Sequence, residues 1–472
     1  MPRILHWFRN DLRIHDNPAL TAAATDSQGD LICCFCLAEE QWQEHHMAPI
    51  KADFLIANLM SLQSSLANKG IPLLIICTEN FQNTPKELWS LMEEHQCQTL
   101  YFNEEYGVNE RRRDKEVHRT FQEQGISVKK FRDQSILPVG SIRTQQSAPY
   151  TVFTPFKRTW WKHITETDLS LWHAPTGRHK TTEKNPQPPQ LSRIKAKDSS
   201  VWKAGESAAH YQLESFIEER AGHYHQQRDI PAVEGTSQLS PYLALGVLSG
   251  KQCFLAARQY QHSHANAAEG LDCWINELIW RDFYINILCD FPRVSMNRAF
   301  KPDTEQIPWR DSEDDFHAWC EGRTGIPIVD AAMRQLNTTG WMHNRLRMVC
   351  AMFLTKNLLI DWRRGERYFM EHLIDGYLPA NNGGWQWSAS TGTDAAPYFR
   401  VFNPVSQSEK FDSDGTFIRQ YVPELKNLPD KKIHYPLEHP VSGIDYPPPI
   451  ADLKKSRQRA IDTFKTLKDQ VS

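Results

Sequence analysis

Two hydrophobic periods alternate through the first 135 residues, and that rhythm narrows the fold more than any other feature of the chain. Short apolar runs at Ile4–Phe8, Leu31–Leu37, Pro72–Cys77, Thr99–Asn103 and Val128–Phe131 read as strands. Between them, Phe54–Asn68, Lys86–His95 and Arg111–Gln124 carry apolar residues at helical spacing. Strands that alternate with helices of this length predict an α/β domain with a parallel, doubly wound sheet over residues 1–135. Neither GxGxxG nor a P-loop is present, so a standard dinucleotide or triphosphate cradle is not indicated. The stretch Trp7-Phe8-Arg9-Asn10-Asp11-Leu12-Arg13 puts charges at the carboxyl end of the first strand, where open α/β sheets bind ligands. A solvated, salt-bridged loop is the simpler account of those charges.

The character changes at residue 136. Residues 136–205 are expected to be a connector: Thr151–Trp161 is aromatic and basic, and Pro175–Ser200 is rich in Pro, Lys and Ser without periodicity. From 206 to 472 the pattern is helical, which predicts a larger all-α domain, with a tail after Asp430 that is proline-rich and then basic. A chain of 472 residues is long enough for two or three cores. Its net charge of −3 gives no global basic bias toward nucleic acid, although a local patch is compatible with it. Ten scattered cysteines form no Cys/His cluster of zinc spacing, so reduced thiols, a cytoplasmic location and no metal are expected. Residues 1–8 lack a signal-peptide core, and no run is long enough to span a membrane.

Residues 334–404 crowd Trp341, Trp362, Trp385 and Trp387 among Arg345, Arg347, Asp375 and Asn381. Buried ions are costly unless paired, so the mixture suits a flat polar ligand lying among the side chains. An aromatic-rich helical core with a surface turn explains the same composition. Read as a helix, the segment from Asn344 places Asn344, Met348, Ala351 and Thr355 on one stripe, Arg347 at its edge, and Leu346, Cys350 and Phe353 on the core side. After a second amphipathic stretch, Tyr368–Ile374, Pro379 and Asn381-Asn382-Gly383-Gly384 predict a sharp turn that aims Trp385 and Trp387 in opposed directions.

Asp272–Ile287 divides Ile275, Leu278, Ile279 and Phe283 from Trp274, Asn276, Glu277, Trp280, Arg281 and Tyr284. Two tryptophans beside Glu and Arg favour a ligand-lining face over a solvated one. Gly235-Thr236-Ser237-Gln238-Leu239-Ser240-Pro241 precedes an apolar run, where hydroxyls and free N–H groups suit an anion. Plain N-capping is the better explanation in isolation.

Taken together, WFRNDLRIHDN, EGTSQLS, WINELIWRDFY, GWMHNRLRM and DGYLPANNGGWQWSASTGTDAAPYFRVFNP resemble the DNA photolyase/cryptochrome family, most closely its bacterial class I cyclobutane-dimer photolyases. The resemblance runs in order from the first strand to about Arg419. It implies an α/β antenna domain and a helical domain that binds FAD. Tyr224, Thr236, Ser237, Gln238, Leu239 and Ser240 would hold the phosphates and ribityl chain, and Trp274 and Arg281 would border the flavin. Arg347 would pair with Asp375 near the ring, beside Gly376 and Tyr377, and Asn381 would face flavin N5. Trp385, Trp362 and Trp309 match an indole chain that relays electrons from the surface.

The resemblance further implies a lesion pocket of Glu277, Trp280, Arg281, Tyr284, Asn344, Arg345, Met348 and Trp387, with DNA contacts at Arg228, Arg345, Arg400 and Gln407. The implied reaction is light-driven: excited reduced FAD lends an electron to a cyclobutane pyrimidine dimer in DNA, the ring splits, and the electron returns, with Glu277 and Asn381 as helpers. Asn109 and Glu110 match residues that hold a methenyltetrahydrofolate antenna. The expected protein is a monomer without an obligate protein partner. The chain departs from the family pattern at Tyr377, where Asp is common, and at Met296, where a lysine reaches the antenna. A cryptochrome-type photoreceptor is the alternative. A nonenzymatic single-strand binder is the third, separable by the protein's colour.

Overall fold

The computed structural model describes residues 2–167, 169–179, 187–436 and 445–471, so the Pro/Lys/Ser-rich run and the proline-rich tail lie partly outside the described residues. Five parallel strands, β1 (Ile4–Phe8), β2 (Leu31–Leu37), β3 (Leu73–Cys77), β4 (Thr99–Asn103) and β5 (Ser127–Phe131), form one sheet in the order β3-β2-β1-β4-β5. Ile4 of central β1 lies opposite Leu31 on one side and Thr99 on the other. All five residues of β1 are buried, as expected where helices cover both faces of a parallel sheet. Edge strand β5 carries Lys129 and Lys130, charges that discourage pairing with another chain.

The covering helices are Pro18–Asp26, Pro49–Asn68, Thr84–Glu94 and Val108–Glu123. The first has no counterpart in the sequence reading because its Ala-rich stretch shows little amphipathic period. It is set by Asn17, whose side chain accepts from Leu20 N at 3.1 Å, and by Pro18 in its first turn.

The chain divides into two compact units, residues 1–222 with 237–292, and residues 223–236 with 293–472. The first unit therefore joins to the sheet a set of helices that includes Phe153–Ile164, Ser240–Leu245, Gly250–Ser263 and Ala268–Asp290. Phe153–Ile164 lies within the expected connector, yet it is packed. Phe153, Phe156, Trp160 and Ile164 bury one face, and Trp160 Nε1 donates to Asp282 at 3.0 Å.

The loop leaving β1 is not solvated. Arg9, Asp11, Arg13 and Asp16 are all buried. Arg9 reaches Asp114 at 2.7 Å, and Arg113 bridges Glu105 and Asp114 at 2.8 and 2.9 Å. Both guanidiniums lie over the Trp7 ring. Arg13 pairs with Asp133 and donates to the Gly246 carbonyl at 3.1 Å, while Asp16 accepts from Ser249 and Lys251, each at 2.6 Å. Charge taken out of water persists only with such partners, so this motif clasps the sheet to the 240–263 helices.

In the second unit, helices Glu313–Glu321, Pro327–Thr339, Asn344–Met352, Trp362–His372 and Leu378–Ala389 enclose Trp319, Leu336, Leu346, Cys350, Phe353, Trp362, Phe369 and Trp385. The Asn344 helix continues through a π-helical turn, Phe353–Asn357. The expected turn at 381–384 is absent: Asn381-Asn382-Gly383-Gly384 is helical, because Pro379 falls in the first turn, where no backbone N–H is needed. Residues two apart on a helix differ by about 200°, so Trp385 and Trp387 still point apart. Trp385 is buried and Trp387 is half-buried. Among the described residues, no helix is long and apolar enough to cross a membrane.

Gly246 follows the Ser240–Leu245 helix at φ +64°, and a Cβ there would lie 2.1 Å from the Asn10 carbonyl oxygen. Gly246→Ala must push the clasp apart, so an apparent Tm lower by roughly 5 °C is expected. An unchanged thermal transition would show that the Asn10 backbone yields freely.

Candidate functional site

In the first unit, the Ala268–Asp290 helix leaves Asn276, Glu277, Trp280, Arg281 and Tyr284 half-buried along one side, as their spacing requires. Trp274 belongs instead to the core, its ring 5.0 Å from Phe216. Trp280 has one face stacked on Phe153 at 3.6 Å and 7°, with Tyr284 stacked 5.5 Å away. Stacking on Phe153 holds the indole rigid and keeps its position defined. Arg281 donates to the Gln134 carbonyl and, at 3.2 Å, to that of Leu243, which tethers the helix to two other segments.

The Ser240–Leu245 helix has Leu239 at its N-cap, and among the described residues no side chain caps it. Side-chain capping, the simpler expectation for Ser237 and Ser240, is therefore not what these hydroxyls do. Ser237 Oγ accepts only a long 3.5 Å bond from Leu239 N, and Gln238 sits at φ +53°. Elsewhere in this unit, Asn109 Nδ2 is 2.9 Å from His45 Nε2, and His45 Nδ1 is 3.6 Å from Glu110. Burial, and then the nearby Glu105, push the Glu110 carboxyl up to about 7, while burial lowers His45 to about 4.

In the second unit, buried Tyr224 lies 5.4 Å beneath the Arg228 guanidinium, and Thr236 is half-buried. Arg347 donates to both Asp375 oxygens, at 2.8 and 3.1 Å, and to the Met342 carbonyl at 2.8 Å. Gly376 and Tyr377 follow, and Tyr377 is the N-cap residue of the Leu378–Ala389 helix. Arg345 is paired with Asp229 at 2.7 Å and lies over Phe411. Asn344 and Arg400 are exposed; Met348, Trp387 and Gln407 are half-buried. Exposure along the predicted Asn344 stripe ends at Ala351 and Thr355, both buried in the core.

Asn381 Nδ2 donates to the Glu366 main-chain carbonyl at 3.0 Å, which leaves its Oδ1 on the other side of the amide as an acceptor. The Glu366 carboxylate accepts from Asn382 at 3.0 Å, and Gln386 donates to Asn382 at 2.9 Å. Trp385 packs on Phe369 and Trp319, with centroids 4.9 and 6.0 Å away, and Gly365 lacks the Cβ that would meet its ring at 2.1 Å. Trp362 is buried under the Arg363 guanidinium, and half-buried Trp309 packs 6.4 Å from Phe464. All three indoles belong to, or pack against, one apolar cluster. Sequence reasoning passed over Trp319 and Glu366; a tryptophan or glutamate in an amphipathic helix carries no motif.

Comparison with known proteins decides the lineage. Residues 4–176 match the DNA photolyase family model, and residues 274–466 match the FAD binding domain of DNA photolyase. The chain belongs to the DNA photolyase family. Its FAD cofactor and its enzymatic class, expected from the motifs, follow from that membership. Deoxyribodipyrimidine photo-lyases of Escherichia coli K12 and Vibrio cholerae O1 are 46% and 45% identical, over 98% of this chain and 98% and 99% of theirs. Among solved structures, a class III photolyase from Agrobacterium tumefaciens has TM-score 0.88 and 33% identity, covering 99% of this chain and 98% of its own. A Synechocystis cryptochrome has TM-score 0.86 and 28% identity, covering 98% and 99%.

Within this photolyase, Glu366 offers a pH test of the Asn381 support. Burial raises its carboxyl from 4.5 to about 7, so the folded state holds a proton that the unfolded chain releases between those values. Its contribution is whole below about pH 4.5 and is lost as pH rises through about 7. Glu366→Gln keeps the acceptor for Asn382 and removes the titration. The variant is expected to gain roughly 3 kcal/mol over wild type between pH 5 and pH 8 in urea titrations. A pH-independent difference would mean that Glu366 does not titrate there.

Proposed function

We propose that this photolyase splits cyclobutane pyrimidine dimers in DNA under blue light, with reduced FAD as its working cofactor. The bound flavin supplies the photoexcited electron, and the protein holds, orients and shields. Asn381 carries the reading. With its Nδ2 tied to the Glu366 carbonyl, its Oδ1 is the acceptor of the amide for an N–H donor, as reduced flavin presents at N5. Arg347, paired with Asp375, offers a fixed guanidinium without an uncompensated charge. In the second unit Tyr224, Thr236, Gly376 and Tyr377 are assigned to the cofactor. In the first, Ser237, Gln238, Leu239, Ser240, Trp274 and Arg281 are assigned to it, and the hydroxyls not spent on capping favour an anion.

For the lesion, Trp280 held rigid on Phe153 presents a stacking surface, and Glu277 and Tyr284 present hydrogen-bonding groups on the same side. On the second unit, Asn344, Arg345, Met348 and Trp387 are the corresponding assignments. Arg228, Arg400 and Gln407 are assigned to DNA, where phosphate contacts position the strand without reading sequence. A dimer stacks poorly and leaves the duplex more cheaply than a normal base, which supplies part of the selectivity. Asn109 and Glu110 are assigned to a folate antenna, and the protein to the cytoplasm as a monomer. A cryptochrome role is the lesser reading: the solved cryptochrome is 28% identical, against 45–46% for the photo-lyases.

The enzyme with reductant is expected to restore dimer-containing oligonucleotides under blue light and not in darkness, scored by chromatography of the products. Equal turnover in both conditions, or none in light, would refute the assignment. Trp309→Phe is expected to slow photoreduction of oxidised flavin by about tenfold or more while leaving repair by prereduced enzyme near wild type. An equal loss in both assays would remove Trp309 from the relay.

A further inference from the structure

We infer that a groove beside Trp309, in the second unit, binds a small hydroxylated anion that donates one electron, an enediolate of the ascorbate kind. The inference rests on the relay reading: an electron passed inward from Trp309 leaves that indole oxidised, and net reduction needs a donor from solution. The groove is open to solvent and offers about 900 Å³, ample for a small molecule. Gln306 and Pro308 form one wall. Lys455, Arg459, Thr463 and Leu467 of the Leu453–Val471 helix form the other. Pro308 immediately precedes Trp309, and Leu467 joins Ile307 and Phe464 in the apolar cluster against which the indole packs. A molecule in the groove is thus one side-chain layer from the indole.

The lining selects for negative charge and hydroxyl groups. Lys455 is 88% exposed, with only a loose 4.0 Å pairing to Asp452. Arg459 spends one Nη on the Asn357 carbonyl at 2.6 Å, and its Nε is buried without a partner among the described residues. Against these two cations the groove sets one carboxylate, Asp462, which accepts from Gln458 at 2.9 Å. The Thr463 and Thr466 hydroxyls donate to helix carbonyls at 2.9 and 3.0 Å, so their oxygens remain acceptors for ligand hydroxyls. In the step itself, the enediolate gives one electron to the oxidised Trp309 indole and its remaining enediol proton to water. The indole is restored, and the donor leaves as its radical anion.

The test illuminates flavin-loaded, oxidised enzyme at rising concentrations of ascorbate and, separately, of uncharged dithiothreitol. The photoreduction rate is expected to saturate with ascorbate and to rise linearly with dithiothreitol. Lys455→Glu should raise the half-saturating ascorbate concentration roughly fivefold while leaving the dithiothreitol rates and repair by prereduced enzyme unchanged. In the dark, saturation-transfer NMR should detect ascorbate on the wild-type protein and a weaker signal on the variant. A linear ascorbate dependence, or an equal effect of Lys455→Glu on both reductants, would overturn the site and leave the relay standing. A Trp309→Phe enzyme that photoreduces at the wild-type rate would overturn both.

Discussion

A guanidinium that is 1% exposed has to be neutralised where it lies, and Arg13 sets that condition for the whole first unit. Its partners come from three stretches of chain: Asp133 after β5, the Asp16 carbonyl in its own loop, and the Gly246 carbonyl at a helix end. None of these contacts would repay burial alone, because desolvating an ion costs more than one hydrogen bond returns. Together they fix where the 240–263 helices meet the sheet. Asp11 shows the margin: burial, and then Asp133, push its carboxyl up to about 6 despite bonds from Arg9 N and Asn103.

The second unit solves a different problem with aromatic surface. Trp319, Trp362, Phe369 and Trp385 belong to its apolar core, and Trp385 meets Trp319 and Phe369 edge to face. Such a core needs a close backbone approach somewhere, and Gly365 supplies it under Trp385. The few carboxylates that enter are handled in two ways. Asp375 is paired with Arg347 at 2.8 Å, whereas burial raises the Glu366 carboxyl to about 7 and an amide donates to it. The distinction suits a support for Asn381, since a carboxyl that stays protonated below about pH 7 exerts little field there on whatever that amide contacts.

The sheet was legible because its inner strands are short, nearly continuous apolar runs that recur between helical segments. The Ala268–Asp290 helix was legible from its two-sided period, and its half-buried side fell where the periodicity put it except at Trp274, which is in the core. Other readings failed on physics that sequence hides. The β1 exit charges looked solvated because their partners lie up to 233 positions away. Asn-Asn-Gly-Gly looked like a turn because local propensity favours one, and tertiary packing of Trp385 with a proline in the first turn outweighed it. Ser237 and Ser240 looked like caps, and a leucine took the N-cap position. The family motifs identified the lineage through residues whose roles packing arguments alone did not separate.

That overlap between packing and chemistry has a physical basis in the indoles themselves. A buried tryptophan contributes a large apolar area and a rigid shape, and the same π-system is the most easily oxidised surface that a protein core contains. In the proposed relay no stability is therefore sacrificed to place Trp385 and Trp362 in the interior. Buried polar groups work against this economy, as Glu366 and Arg13 illustrate, because each must be matched by a partner or lose its charge. A reaction run on electrons rather than protons can use the hydrophobic core itself as its conductor. The constraint then moves to the surface end of the path, where half-buried Trp309 has to stay packed against Phe464 and still be reachable from solution.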